Sequence, residues 1–319
     1  MRIVFWGTRG SLPSPMNIHA FRIKAKRMLM NARGVDLTDE TAIDAYLEST
    51  PPPDTMTFGG NTPCVEVIEG NDHLILDCGS GIRELGNDLF QRGFAPGSRI
   101  NILQTHTHWD HMMGFPFFGP AYAQDTEIHI YGVHPHLRER FEAQMDLVHF
   151  PITIDEMRAS ITFHQMHAGE EISLGSFTIT NKGLPHPGGS YSYRIASGDK
   201  TMVFATDGEY TNNSIEEFGE YIEFYRNADA LIFDAMYSSL EKTIEKENFG
   251  HSTAVIGINI AHYANVRNLI LFHHDPESND TQIHDAFKNA QRYLEIEKFN
   301  FPNSLLKLVI SYDGLVFDV

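Results

Sequence analysis

The stretch "RINILQTHTHWDHMMG" limits this chain more than any other. The apolar run Ile100–Leu103 leads straight into His106, His108, Asp110 and His111, four titratable groups within six residues. The run reads as a buried strand, so the polar cluster must lie where that strand leaves the core. In extended backbone, alternate residues share a face. His106, His108 and Asp110 can therefore point one way, and a turn after Asp110 can bring His111 round. Imidazole nitrogens with a carboxylate suit zinc or a similar borderline ion. A loop with one chance histidine is commonplace; four such groups in six positions are not.

The same arrangement recurs further along. His186 lies in the Pro/Gly-rich loop "GLPHPGGSYSYRI", and Asp207 ends the apolar strand of "MVFATDGEY". His251 opens "GHSTAVIGINIA" just ahead of a helix, and His273 and His274 close "NLILFHHDP". Singly, each reads as an ordinary surface or core residue. Together they describe apolar strands delivering polar groups to one rim.

Around these motifs, "RIVFW" predicts a first buried strand. Residues 17–48 carry helical spacing, with Thr38 as N-cap of the second helix and "TPPPD" as its stop. This segment, near 16–56, is too short for its own core and reads as a helical insertion in a single domain spanning 1–319. Strands follow at "PCVEVIEG", "DHLILDCGSG", "RINILQ" and "TEIHIYG", and near 161–164, 171–181, 191–197 and 201–205. The last third alternates helix and strand, which predicts a layered α/β architecture.

Composition narrows the function. With 24 basic against 42 acidic residues the net charge is −18, a field that repels polyanions at long range. Nucleic acid is accordingly expected to be an unlikely partner, and a small anionic phosphodiester the better one. Only Cys64 and Cys78 are present, so no disulfide framework is expected. With no apolar run of membrane-spanning length, the expectation is a cytoplasmic protein that meets no membrane.

The motif H-x-H-x-D-H at His106–His111, with His186, Asp207 and His273 following in order, resembles the signature of the metallo-β-lactamase superfamily. "GTRGSLPSP", "GGNTPCVEV", "LILDCGSG" and "GHSTA…LILFHH" are similar to its phosphodiesterase branch, which holds tRNA 3′-processing endonucleases and cyclic-nucleotide phosphodiesterases. The likeness covers roughly residues 1–15, 57–120 and 180–319. It implies a four-layered αββα sandwich with two divalent metal ions at one rim. Zinc is the default, and manganese is compatible with the carboxylates. By the resemblance, His106, His108 and His186 hold one ion, and Asp110, His111 and His273 the other. Asp207 bridges them and Asp77 supports from behind. His274 is the alternative to His273. A homodimer is also implied.

Two divalent ions can activate water and stabilise both attacking and leaving oxygens of a phosphodiester. Asp110 and His251 are the catalytic candidates. His251 matches a His-x-Thr motif that related enzymes place beside the scissile phosphate, which favours catalysis over the alternative that His251 and Ser252 merely cap a helix. The basic residues Arg22, Lys24, Lys26, Arg27 and Arg33 form either an arm that meets phosphate or a solvated helix face. "MMGFPFFGPAY" is expected to be core or a dimer contact, with nucleobase stacking as the alternative. The leading expectation is hydrolysis of a cyclic nucleotide; the alternatives are tRNA 3′ processing, or thioester or lactone hydrolysis.

Overall fold

The computed structural model describes residues 1–94, 97–210 and 214–319. It begins with β1 (Arg2–Gly7), then α1 (Ile18–Asn31), α2 (Glu40–Ser49) and α3 (Pro52–Thr55). Next come β2 (Cys64–Glu69), β3 (Asp72–Leu76), α4 (Ile82–Gln91), β4 (Arg99–Gln104) and the short α5 (Trp109–Met112). β5 (Glu127–Gly132), α6 (Leu137–Gln144), β6 (Ser160–Gln165), β7 (Glu171–Leu174), β8 (Phe177–Leu184), β9 (Ser190–Ser197) and β10 (Lys200–Ala205) follow. The chain continues through α7 (Ile215–Tyr225), β11 (Ala230–Asp234), α8 (Leu240–Glu245) and α9 (Ala254–Tyr263). It closes with β12 (Asn268–Phe272), α10 (Asp280–Glu297), β13 (Lys307–Ile310) and β14 (Val316–Asp318).

The strands form two seven-stranded sheets, β14-β1-β2-β3-β4-β5-β6 and β13-β12-β11-β10-β9-β8-β7. Because side chains alternate across a strand, each sheet has two apolar faces to cover. Leu74, Leu76 and Leu103 of the first sheet pack against Ile195, Phe204, Ile232 and Ile270 of the second. The outer face of the first sheet, with Ile75, Ile102 and Ile130, is covered by Leu85, Phe115 and Phe141. On the far side, Leu231, Phe233 and Leu271 meet Phe218, Ile256 and Leu294 of α7, α9 and α10. The result is the αββα sandwich. Among the described residues, no helix is long and apolar enough to cross a membrane.

Three local expectations are corrected. Asp39, not Thr38, caps α2: its side chain accepts from the Thr41 amide, while Thr38 is bonded to Asp36. The strand expected over 171–181 is the hairpin β7–β8, with Leu174 facing Phe177 and Gly175 at φ +57° turning the chain between them. Phe115 and Phe118 of "MMGFPFFGPAY" are fully buried, as core requires, but Phe117 is 59% exposed.

Candidate metal centre

Strand ends build the site. β4 stops at Gln104, and the helical turn α5 begins at Trp109, earlier than the turn expected after Asp110. That turn sets Asp110 and His111 against the core while His108 stays at the exposed edge. Asp77 follows β3, Asp207 lies just beyond β10, and His273 follows β12. All three have left-handed backbones, at φ +62°, +59° and +64°. Each such conformation costs roughly 1–2 kcal/mol for a residue with a Cβ, so the contacts made at the rim must hold it.

Those contacts form two groups. In the first, His186 Nε2 lies 3.0 Å from His108 Nδ1, and the nearest ring atoms of His106, His108 and His186 lie within 4.8 Å of one another. In the second, His273 Nε2 is 3.1 Å from Asp110 Oδ2 and 3.3 Å from His111 Nε2. Asp207 stands between them. Its Oδ1 is 3.9 Å from both His106 Nε2 and His186 Nε2, while its Oδ2 is 3.1 Å from His111 Nε2 and 3.4 Å from His273 Nε2.

The far side of three of the rings is fixed as well. Asp77 Oδ2 accepts from His111 Nδ1 at 2.8 Å, and Thr105 donates its hydroxyl to Asp77 at 2.9 Å while lying 3.0 Å from His106 Nδ1. The Gly250 carbonyl holds His186 Nδ1 at 2.9 Å. A Cβ on Gly250 would come within 2.0 Å of that nitrogen, so the approach requires glycine. A Cβ on Gly10 would likewise come within 2.5 Å of His273 Nδ1. The Ser11 amide donates to Asp110 Oδ2 at 2.7 Å. Such partners set ring orientation and raise ligand basicity.

The donor chemistry fits divalent ions. His106 Nε2 is buried and has no hydrogen-bond partner, an expensive condition unless a cation meets it. Burial, with neighbouring histidines, holds His106 well below the ordinary imidazole range, which keeps it in its ligating form. Burial opposes charge on His111 too, but the Asp207, Asp110 and Asp77 carboxylates prevail and push it well above that range. A cation satisfies the same carboxylate cluster.

Of the residues singled out in the sequence, His106, His108, Asp110, His111, His186, Asp207 and His273 converge here, with Asp77 behind them. His274 does not: its Nε2 bonds the Ser311 carbonyl at 2.8 Å, away from the rim. His251 does reach the centre. Its ring stacks on His273 at 5.0 Å, and its Nδ1 bonds Asp234 Oδ2 at 2.8 Å. Burial lowers its proton affinity, yet Asp234 and the nearby Asp207 and Asp110 outweigh this and raise its pKa to about 9. Capping is not its role, because Thr253 caps α9 by accepting from the Ile256 amide. Asp234 was missed in the sequence, although it ends the apolar strand "ALIFD" just as Asp207 follows "MVFAT".

This fold and site define a class. The chain belongs to the beta-lactamase superfamily: that family's domain model matches residues 73–274. It is a hydrolase of metallo-β-lactamase fold with a metal-binding set of histidines and aspartates. Ribonuclease Z of Thermoplasma acidophilum (strain ATCC 25905) is 24% identical to it, over 92% of this chain and 94% of that protein. Among solved structures, the metallo-β-lactamase fold protein YhfI of Bacillus subtilis matches with TM-score 0.64 and 19% identity, covering 99% and 98% of the two chains. The short form of human tRNase Z matches with TM-score 0.61 and 17% identity, covering 100% and 99%.

These relatives correct one expectation. Proteins named ribonuclease Z align along most of the chain, so the inference from net charge that nucleic acid is an unlikely partner does not stand. A whole-chain sum hides how charge is distributed: residues 17–33 carry five Lys and Arg and no acid.

Proposed function

We propose that this chain is a metal-dependent phosphodiesterase that cleaves RNA in the manner of tRNA 3′ processing. The observation that carries the reading is Asp207, whose two oxygens face two separate histidine groups. Its length-wise similarity to proteins named ribonuclease Z supports RNA as the substrate. His106, His108 and His186 would hold one ion, and Asp110, His111 and His273 the other, with Asp207 shared. Bound there, divalent ions supply Lewis acidity and a water acidic enough to attack phosphorus near neutral pH.

The chain's own residues do the rest. Asp77, Thr105 and the Gly250 carbonyl orient the imidazoles. Asp234 holds His251 Nδ1, which leaves Nε2 to give a proton to the ribose oxygen as its bond to phosphorus breaks. The Asp234 carboxylate at Nδ1 favours the protonated ring that an acid needs.

A second reading is hydrolysis of a cyclic nucleotide, since the same histidine and aspartate groups would serve any phosphodiester. One experiment separates the two. Metal-stripped protein, reconstituted with zinc or manganese, is offered a precursor tRNA with a 3′ trailer, a panel of cyclic mononucleotides and bis(p-nitrophenyl) phosphate. Metal-dependent release of the trailer is expected. Cleavage of cyclic mononucleotides alone would favour the second reading, and no cleavage of any diester would end both.

A further inference from the structure

The two residues interleaved with the first ligands, Thr107 and Trp109, have no part in holding metal. Trp109 stands between His108 and Asp110 at the start of α5 and is 80% exposed. The chain has only one other tryptophan, Trp6, whose indole nitrogen donates to Glu66 at 3.3 Å. Thr107 accepts a hydrogen bond at 2.9 Å from Arg140 of α6. One turn further along the same face, Gln144 donates to the Met112 carbonyl at 3.0 Å, and Phe141 packs edge-on against Phe115 at 5.2 Å. α6 is thereby clamped over the metal-binding segment.

Arg140 differs from its neighbour on the same helix. Arg138, two residues earlier, pairs with both Glu142 and Asp155. Among the described residues no carboxylate lies within ion-pairing distance of Arg140, and the residue its guanidinium bonds, Thr107, is flanked in the chain by His106 and His108. A half-buried guanidinium with unused donors beside a phosphodiester centre matches phosphate geometry. The large exposed indole that follows His108 in the chain offers a face that any nucleobase can stack on.

We infer that Trp109 and Arg140 form a nucleotide-recognition subsite at the mouth of the metal centre. The indole stacks a base adjoining the scissile phosphate, and the guanidinium binds a neighbouring phosphate. Both are substrate-binding residues, and the inference rests on the reading of the site as a nucleic-acid phosphodiesterase.

The test is titration of the metal-reconstituted protein with adenosine 5′-monophosphate, ribose 5-phosphate and inorganic phosphate, followed by tryptophan fluorescence. Quenching by the nucleotide, but not by the two base-free anions, is expected, and Trp109→Leu removes it. In RNA cleavage, Trp109→Leu raises KM about tenfold, Trp109→Phe restores most of the loss, and the effect falls on KM rather than kcat. Arg140→Gln raises KM and weakens its salt dependence, by about one unit of the log–log slope; Arg140→Lys retains that dependence. Equal quenching by ribose 5-phosphate, or unchanged KM in Trp109→Leu, overturns the stacking role. Loss of melting temperature and metal content in Arg140→Gln, with KM unchanged, makes Arg140 a structural latch on Thr107 and overturns its part. RNA cleavage without base-dependent quenching sinks the subsite alone. Quenching by nucleotide without cleavage of any diester sinks the proposed function and leaves the subsite standing.

Discussion

The metal rim and the helical segment α1–α3 are built on opposite principles. At the rim most of the candidate ligands are buried and several are held from behind, as His111 is placed between Asp77 and Asp110. α1 and α2 bury no residue at all. They expose Ile18, Phe21, Leu29 and Met30 and are tied down at a few points, among them the Lys24–Asp280 ion pair at 2.5 Å and the Tyr46 hydroxyl on the Met28 carbonyl. The rim therefore depends on residues brought together from the whole chain, whereas the helices depend mainly on their own caps and spacing. Damage should spread at the rim and stay local in the helices.

The largest effect is expected from Asp207→Ala, which removes the carboxylate facing both histidine groups. Bound metal, measured by atomic emission, and hydrolysis should fall together; full metal content with normal turnover would break the picture of one shared centre. His251→Ala should come next, lowering turnover by about 10²–10⁴-fold with metal content intact. Equal loss of metal would make it a ligand, a role that its closeness to Asp207, Asp234 and His273 also permits. Asp77→Asn tests the layer behind the ligands. Metal affinity, measured by chelator competition, should drop about 10–100-fold.

Protonation provides a smaller and separable probe. Burial lowers the pKa of His274 to about 4, below the value near 6.5 of an unfolded histidine. Its neutral form is thus favoured by folding. The stability it contributes is complete above pH 6.5 and is lost as pH falls towards 4, amounting to about 3 kcal/mol. Urea unfolding at pH 7 and pH 4 should show that much less acid sensitivity in His274→Gln, whose amide can still donate to Ser311. No difference between the two proteins would remove this account of His274.

The smallest effect is expected on the helices. Leu29→Glu should alter stability by no more than about 0.5 kcal/mol, as for an exposed position. A loss of several kcal/mol that depends on protein concentration would show that this surface is covered in solution by a second copy, and would erase the contrast with the rim.

The sequence by itself determined the elements whose signals are local. Helical spacing marked α1 and α2, short apolar runs marked β1 to β5, and His106–His111 pointed to a candidate metal site before any fold was known. Their physics acts over a few residues, so a short window contains it. Tertiary structure decided the rest. β14 is three residues long and exists because Arg2 pairs with Asp318 from the other end of the chain. His273 and His274 are neighbours of identical chemistry; what separates them is the left-handed backbone at His273, the close approach of Gly10, and the Ser311 carbonyl that claims His274. Asp234 gained its role only when β11 was set beside β12 and brought its carboxylate to His251. A strand's alternation records which residues turn inward, but only the packing of one strand against another decides what they meet.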